Sequence, residues 1–153
     1  MRDELDKKLC EKYPKIFADR HGDMRNTAMC WGFDCGDGWY WLIDQLCDHI
    51  QSYIDSNPHL NIGQVVATQV KEKYGGLRFY YMGGDNHIDG MVSHTEYLSY
   101  RMCEECGTTE NIGMTQGWLK TICRNCFDKS DRLIHQRKWV SREEGEVLWD
   151  IAK

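Results

Sequence analysis

The sequence predicts an α+β fold, in which amphipathic helices pack on a small antiparallel sheet, followed by a C-terminal treble-clef-like zinc module. Three patterns lead to this prediction: a long amphipathic helix after residue 37, a β-hairpin closed by two glycines, and two Cys-x-x-Cys pairs. The chain has 153 residues and is 41% hydrophobic, which is enough for a core. We expect an α+β part over residues 1–100 and the zinc module over 101–153, packed as one unit.

The N-terminal third contains two helical patterns separated by an aromatic, glycine-rich segment. Residues 3–12 predict a short helix that ends before Pro14. A second helix is predicted from an N-cap at Asp37 to Ser56, with Asn57-Pro58 as its stop. Its apolar stripe comprises Trp39, Leu42, Ile43, Leu46, Ile50, Tyr53 and Ile54. In the segment before it, the rings of Trp31 and Trp39 either close the core or anchor a partner protein.

Negative charge is concentrated on the second helix. The sequence has no Lys or Arg between Arg25 and Lys71, and Asp44, Asp48 and Asp55 fall on one face of the helix. This face is either simply solvated or a recognition surface for a basic partner. We therefore treat these three acids as partner-binding candidates.

The hairpin is predicted over residues 65–82, with Gly75-Gly76 as its two-residue turn. This turn would pair Tyr74 with Leu77 and make one face apolar. The other face would carry Lys71, Lys73 and Arg78. Three cations beside a tyrosine are either a solubility feature or a phosphate-binding strip.

The rest of the chain predicts a helix over 87–102 and the elements of a zinc module. We expect a turn at 111–113, a strand over 118–122 and one helix over 124–138. A last helix, capped by Ser141, is predicted to run to Ile151.

The metal-binding prediction is the most specific one. Cys103, Cys106, Cys123 and Cys126 form two Cys-x-x-Cys pairs sixteen residues apart, the pattern of a structural zinc site with four thiolates. We expect one zinc ion per chain. The other cysteines, Cys10, Cys30, Cys35 and Cys47, are interpreted as small core residues. A second metal held by Cys30 and Cys35 is the alternative.

The sequence does not predict an enzyme. HNH-type nucleases share the treble clef but need an Asp-His pair between the two Cys pairs, and residues 107–122 contain neither His nor Asp. A nucleophile motif and the open metal position of a zinc deaminase are also missing. The alternative to protein binding is nucleic-acid binding through Lys71, Lys73, Arg78, Arg124 and Arg132. An isoelectric point near 5.6 disfavours it.

Two segments carry a resemblance to known proteins. The run from Cys30 to Trp39 and the run from Lys71 to Tyr80, together with the Cys pairs, resemble a group of small uncharacterised proteins of bacteriophages and prophages. The resemblance spans residues 27–126 and implies the cytoplasm of an infected bacterium. We therefore expect a cytoplasmic, non-membrane protein that binds and modulates a host macromolecule, most simply a protein.

Overall fold

The computed structural model describes residues 1–142, and these residues confirm the α+β fold class. The helices are α1 (Asp3–Lys12), α2 (Tyr40–Ser56), α3 (Asn86–Ser99), α4 (Arg124–Asp128) and α5 (Asp131–Gln136). The strands are β1 (Phe33–Asp34), β2 (Gly63–Lys73), β3 (Gly76–Gly84), β4 (Ile112–Thr115), β5 (Thr121–Cys123) and β6 (Trp139–Ser141). The helix predicted beyond Ser141 lies outside the described residues. Over 1–142, none of the helices combines the length and apolarity needed to cross a bilayer.

Two three-stranded sheets build the fold. The first has the order β1-β2-β3, with β1 parallel to β2 and β3 antiparallel, and the second has the order β5-β4-β6. The apolar face of α2 packs toward the first sheet, and Leu42, Ile43, Leu46 and Ile50 are buried as predicted. Trp39 is fully buried at the start of this helix, and its indole Nε1 donates to the Met102 carbonyl oxygen at 3.0 Å. The first core therefore reaches the entrance of the zinc module.

The predicted N-cap of α2 is wrong. Residues Asp37–Trp39 form a 3-10 turn, and α2 starts only at Tyr40. The Asp37 carboxylate instead accepts from the backbone N–H of Arg2 at 2.7 Å and pairs with its guanidinium. A charge-assisted bond to Arg2 replaces the cap that the local sequence suggested.

The acidic face of α2 is not a row of unpaired charges, because two of its three acids have lysine partners. Asp44 is only 9% exposed, and its carboxylate accepts from Lys12 Nζ at 2.8 Å and from the Tyr13 hydroxyl at 2.9 Å. Asp55 accepts from Lys15 Nζ at 3.2 Å, whereas Asp48 is exposed. The compensating cations, Lys12 at the end of α1 and Lys15 just after it, stand about thirty to forty residues earlier in the chain. Charge counting along the sequence could not find these pairs.

The hairpin forms, but its turn lies one residue earlier than predicted. Tyr74 and Gly75 occupy the two turn positions with φ of 54° and 77°, and Glu72 pairs with Leu77. Gly76 is needed for another reason: a Cβ there would lie 2.3 Å from Cζ of Tyr100. The shift moves the register by two residues and so leaves the faces as predicted. Leu77 and Phe79 are accordingly buried.

A bulge and side-chain bonds complete the first sheet. The pairing of β2 with β3 shifts between Ala67 and Gln69. Val70 is therefore buried on one side of this shift, and Ala67 and Val65 are buried on the other. On the outer edge of β3, the Leu77 N–H donates to Ser99 Oγ at 2.8 Å and the Phe79 N–H to Glu96 at 2.8 Å. Helix α3 thereby covers part of an edge that would otherwise be open to strand addition.

Helix α3 differs from its prediction in its C-terminal end. Its N-cap is Asp85, whose carboxylate accepts from the backbone N–H groups of His87 and Ile88. The helix ends at Ser99, three residues before the predicted end. Tyr97 near its end is exposed, and its hydroxyl accepts from the Arg101 guanidinium.

Candidate metal centre

The first Cys pair lies in a tight backbone knuckle. The Gly107 N–H donates to the Cys103 carbonyl at 2.8 Å, and the Cys103 N–H donates to the Thr108 carbonyl at 2.8 Å. Gly107 has φ of +76°, which closes the turn in a conformation that favours glycine. Both sulfurs of the pair are thereby turned to one side.

The second Cys pair sits where a strand becomes a helix. Cys123 ends β5, Cys126 lies in the first turn of α4, and the Cys126 N–H points at Cys123 Sγ at 3.4 Å. Knuckle, β4–β5 hairpin and helix follow one another in the order of a treble clef, as predicted. The internal bounds differ, since β4 already starts at Ile112, within the expected turn at 111–113, and β5 starts only at Thr121.

The predicted helix over 124–138 is two short helices and a strand. Ser130 interrupts it, and its hydroxyl accepts from the Leu133 N–H, which restarts the chain as α5. Trp139, considered for the helix, begins β6 on the open side of β4, and its indole Nε1 donates to the Ile122 carbonyl at 3.0 Å. A serine within a predicted helix can cap a new helix and so end the previous one. The apolar periodicity over 124–138 gave no sign of this break.

The four thiols converge on one point. The Sγ atoms of Cys103, Cys106, Cys123 and Cys126 all lie within 4.8 Å of one another, and those of Cys106 and Cys123 are 3.8 Å apart. A tetrahedron of sulfurs at about 2.3 Å from a zinc ion has edges of about 3.8 Å. The donor set and its spacing therefore fit a metal ion. In residues 1–142 this is the one group of three or more potential metal ligands.

The environments of the thiols differ. Burial raises the pKa of Cys103 to about 11. At Cys106, burial acts in the same direction, but the Thr108 N–H and the neighbouring cysteines outweigh it and hold the pKa below its ordinary value. A bound cation stabilises the thiolates, so binding releases protons from this cluster. Four sulfur ligands leave no open coordination position, so the site is suited to structure and not to activating water.

The glycine-rich segment before α2 packs directly against the first knuckle. The Gly38 N–H donates to the Glu104 carbonyl at 2.8 Å, and the Gly36 N–H donates to the Glu104 carboxylate at 2.9 Å. A Cβ on either glycine would lie 2.2 Å from a knuckle carbonyl oxygen. These glycines therefore allow the backbone of the first core to lie directly on the knuckle.

Sequence reasoning missed the role of Glu104, which stands between the cysteines of the first pair. It is only 5% exposed, and its backbone N–H also donates to the Thr121 carbonyl at 3.1 Å. Burial raises the pKa of its carboxyl, whereas Lys120, whose Nζ lies 3.5 Å from Oε2, lowers it. The x positions of a Cys-x-x-Cys pair are usually exposed, so no local signal identified this one.

Replacing Gly38 with alanine tests the contact between the glycine-rich segment and the first knuckle. The new Cβ would clash with the Cys103 carbonyl oxygen, so we expect a loss of about 1–3 kcal/mol in the free energy of unfolding. Gly90→Ala in α3 is the control, because a Cβ there meets nothing within 4 Å and alanine favours helix. Urea melts measure both changes. Equal stability of the two variants would contradict the close approach.

The remaining predicted site residues are dispersed. Trp31 is 71% exposed, whereas Trp39 is buried and unavailable to a partner. On the hairpin, Lys71 and Lys73 lie over the rings of Tyr80 and Tyr74. Arg78 is not a free surface cation, since it is half-buried and donates to the Tyr100 hydroxyl at 2.8 Å.

The cations after the second Cys pair and the other cysteines also differ in their surroundings. Arg124 pairs with Asp128 at 2.9 Å, while Arg132 is exposed on α5. Cys35 is packed in the first core, and the Cys30 thiol donates to the Thr27 carbonyl at 3.2 Å. The alternative of a second metal thus finds no third ligand grouped with them among the described residues.

Two clefts flank the first knuckle, and Glu105 lines both of them. The first, of about 460 Å³, contains Trp41, Arg2, Leu5 and Cys106, and the 58% exposed indole of Trp41 forms part of its wall. The second, of about 380 Å³, contains the 69% exposed Trp118 and three cations. The sequence patterns did not single out Trp41 or Trp118 as a site residue. One feature of the sequence could have identified Trp41: it lies outside the apolar stripe of the predicted helix, on the side that faces solvent.

Comparison of the chain with family models, with curated proteins and with solved structures finds no match. The resemblance to bacteriophage proteins therefore stays a prediction. Any function has to be argued from the site itself.

Proposed function

We propose that this chain is a non-enzymatic, zinc-stabilised protein that binds another protein through the surface beside its first knuckle. Four thiolates in a tetrahedral arrangement select zinc or iron, and two Cys-x-x-Cys knuckles in a treble clef favour zinc. The closed ligand set gives the metal a structural task. If the metal has only a structural role, the function of the protein lies in what its surface binds.

The observation that carries the proposal is the position of Trp41. Its indole is 58% exposed although it belongs to a helix whose opposite face forms the core, and it borders a cleft beside Cys106. Leu5 and Met102 add apolar surface to the same cleft. Tryptophan in a pocket is the residue type that contributes most to protein interfaces. Because the cleft is built on the knuckle, binding should depend on the metal.

This surface replaces the acidic helix face as the favoured contact. Asp44 and Asp55 already have lysine partners, which leaves Asp48 as the exposed member of that face. Trp31 is 71% exposed, but it does not line this cleft. If the resemblance to phage proteins holds, the partner is a bacterial host protein and the setting is its cytoplasm.

Affinity capture from bacterial lysate, with and without nuclease, tests the proposal. We expect a nuclease-resistant protein partner that Trp41→Ala releases and that chelation of the metal also releases. Trp118→Ala is the matched control, since it removes an equally exposed indole from the other side of Glu105. Capture that both tryptophan variants retain, or that depends on nucleic acid, would overturn the proposal.

A further inference from the structure

We propose that the second cleft binds single-stranded nucleic acid, by stacking a base on Trp118 and holding the adjacent phosphates with Arg132 and Arg137. This is an activity separate from protein binding at Trp41. It also differs from the strip predicted on the hairpin, because its cations come from α5 and the residues after it.

Trp118 lies in a closed backbone turn, and its side chain is 69% exposed. Its carbonyl oxygen accepts from Thr115 Oγ1 at 2.6 Å, which closes the β4–β5 turn. Gly117 precedes it with φ of +86°, a conformation that favours glycine. An exposed aromatic ring carried on a closed turn offers a stacking platform of the kind that single-strand binding proteins use.

Guanidinium groups lie next to this platform. A Cβ on Gly117 would be 3.5 Å from Arg137 Nη1, so the Arg137 head lies against the turn that presents Trp118. Arg132 lines the same cleft, together with the polar side chains of Ser130, Thr115 and Gln136. Within residues 1–142, neither arginine forms an ion pair with a carboxylate. Their charge is therefore available to an anionic ligand.

The local charge favours a polyanion even though the whole chain is acidic. Residues 124–142 contain six Lys and Arg against two Asp, whereas the chain carries a net charge of −5. The one carboxylate that lines the cleft, Glu105, is paired with Lys120 at 2.5 Å. The combination of a stacking ring, polar groups and unpaired guanidinium groups fits a nucleotide chain better than an acidic peptide, which offers no planar ring.

Fluorescence anisotropy with labelled oligo(dT) and oligo(U), titrated with the zinc-loaded full chain at several salt concentrations, tests the proposal. We expect Trp118→Ala to weaken binding about 5- to 100-fold, as for the loss of one stacked base, and Trp118→Phe to restore most of it. Arg132→Ala/Arg137→Ala should reduce the magnitude of the negative slope of log K against log[salt] by about 1.4, which corresponds to two phosphate contacts.

Two controls separate this site from general charge and from the protein-binding surface. Lys8→Ala removes an exposed cation from α1, and Trp41→Ala removes the indole of the first cleft; both should bind the oligonucleotides as the wild type does. Unchanged zinc content and melting temperature show that the variants are folded.

Several outcomes would overturn the inference. These are the absence of binding at about 50 mM salt, equal binding by wild type and Trp118→Ala, and equal affinity for a mononucleotide and the oligonucleotides. The last result would make the cleft a nucleotide pocket. A loss of oligonucleotide binding leaves protein capture through Trp41 intact, so the two proposals fail independently.

Discussion

Removing the metal is expected to unfold the second sheet and the knuckles, because the apolar core of this module is small. The small core of this module consists of Ile112, Ile122 and Phe127 around the buried Cys103 and Cys123. Structural zinc sites with this donor type contribute about 10 kcal/mol or more to folding. Cys106→Ser, or a strong chelator, should therefore disorder the module while α2 and the hairpin keep their own core.

Metal analysis and thermal melts measure this effect. Protein purified under reducing conditions should carry one zinc per chain, and chelation should lower its melting temperature. Cys30→Ser is the matched control, since this thiol lies outside the cluster and donates only to a backbone carbonyl. Less than half an equivalent of zinc, or a melting curve unchanged by the chelator, would contradict a structural zinc site.

The metal centre was accessible to sequence reasoning because its information is local. Two Cys-x-x-Cys pairs encode both the ligands and the backbone turns that orient them, and the structure brings the four sulfurs together. The contact between the glycine-rich segment and the first knuckle could not be predicted from the sequence. Gly36 and Gly38 are explained only by the carbonyl groups of residues nearly seventy positions later. A glycine shows that something approaches closely, and its sequence context does not show what.

The same distinction explains the errors in the first core. The stripe of α2 and the faces of the hairpin follow from periodicity, so both were predicted correctly. The turn was misplaced because Gly76 accommodates the ring of Tyr100, a contact across more than twenty residues. The partners of Asp44 and Asp55 likewise come from the end of α1 and the residues just after it. The position of the turn and the partners of the acidic residues were thus set by long-range contacts, which the local sequence pattern does not contain.

The hairpin faces lead to the other large expected effect. Leu77 is fully buried between the sheet and α3, so Leu77→Asp places a carboxylate in an apolar site and should lower the free energy of unfolding by about 3–5 kcal/mol. Lys73→Asp changes an exposed residue beside the turn and should stay within about 0.5 kcal/mol of wild type.

Arg78→Asp distinguishes the structure from the simple alternation of faces. The pattern alone would place Arg78 with Lys73 as a tolerant position, but its guanidinium donates to the Tyr100 hydroxyl and lies 3.9 Å from Glu96. Losing these contacts should cost about 1–3 kcal/mol, between the other two variants. Urea melts of the three proteins give the order directly. If Arg78→Asp is as stable as Lys73→Asp, then Tyr100 does not anchor the hairpin, and if Leu77→Asp is tolerated as well, the faces are reversed.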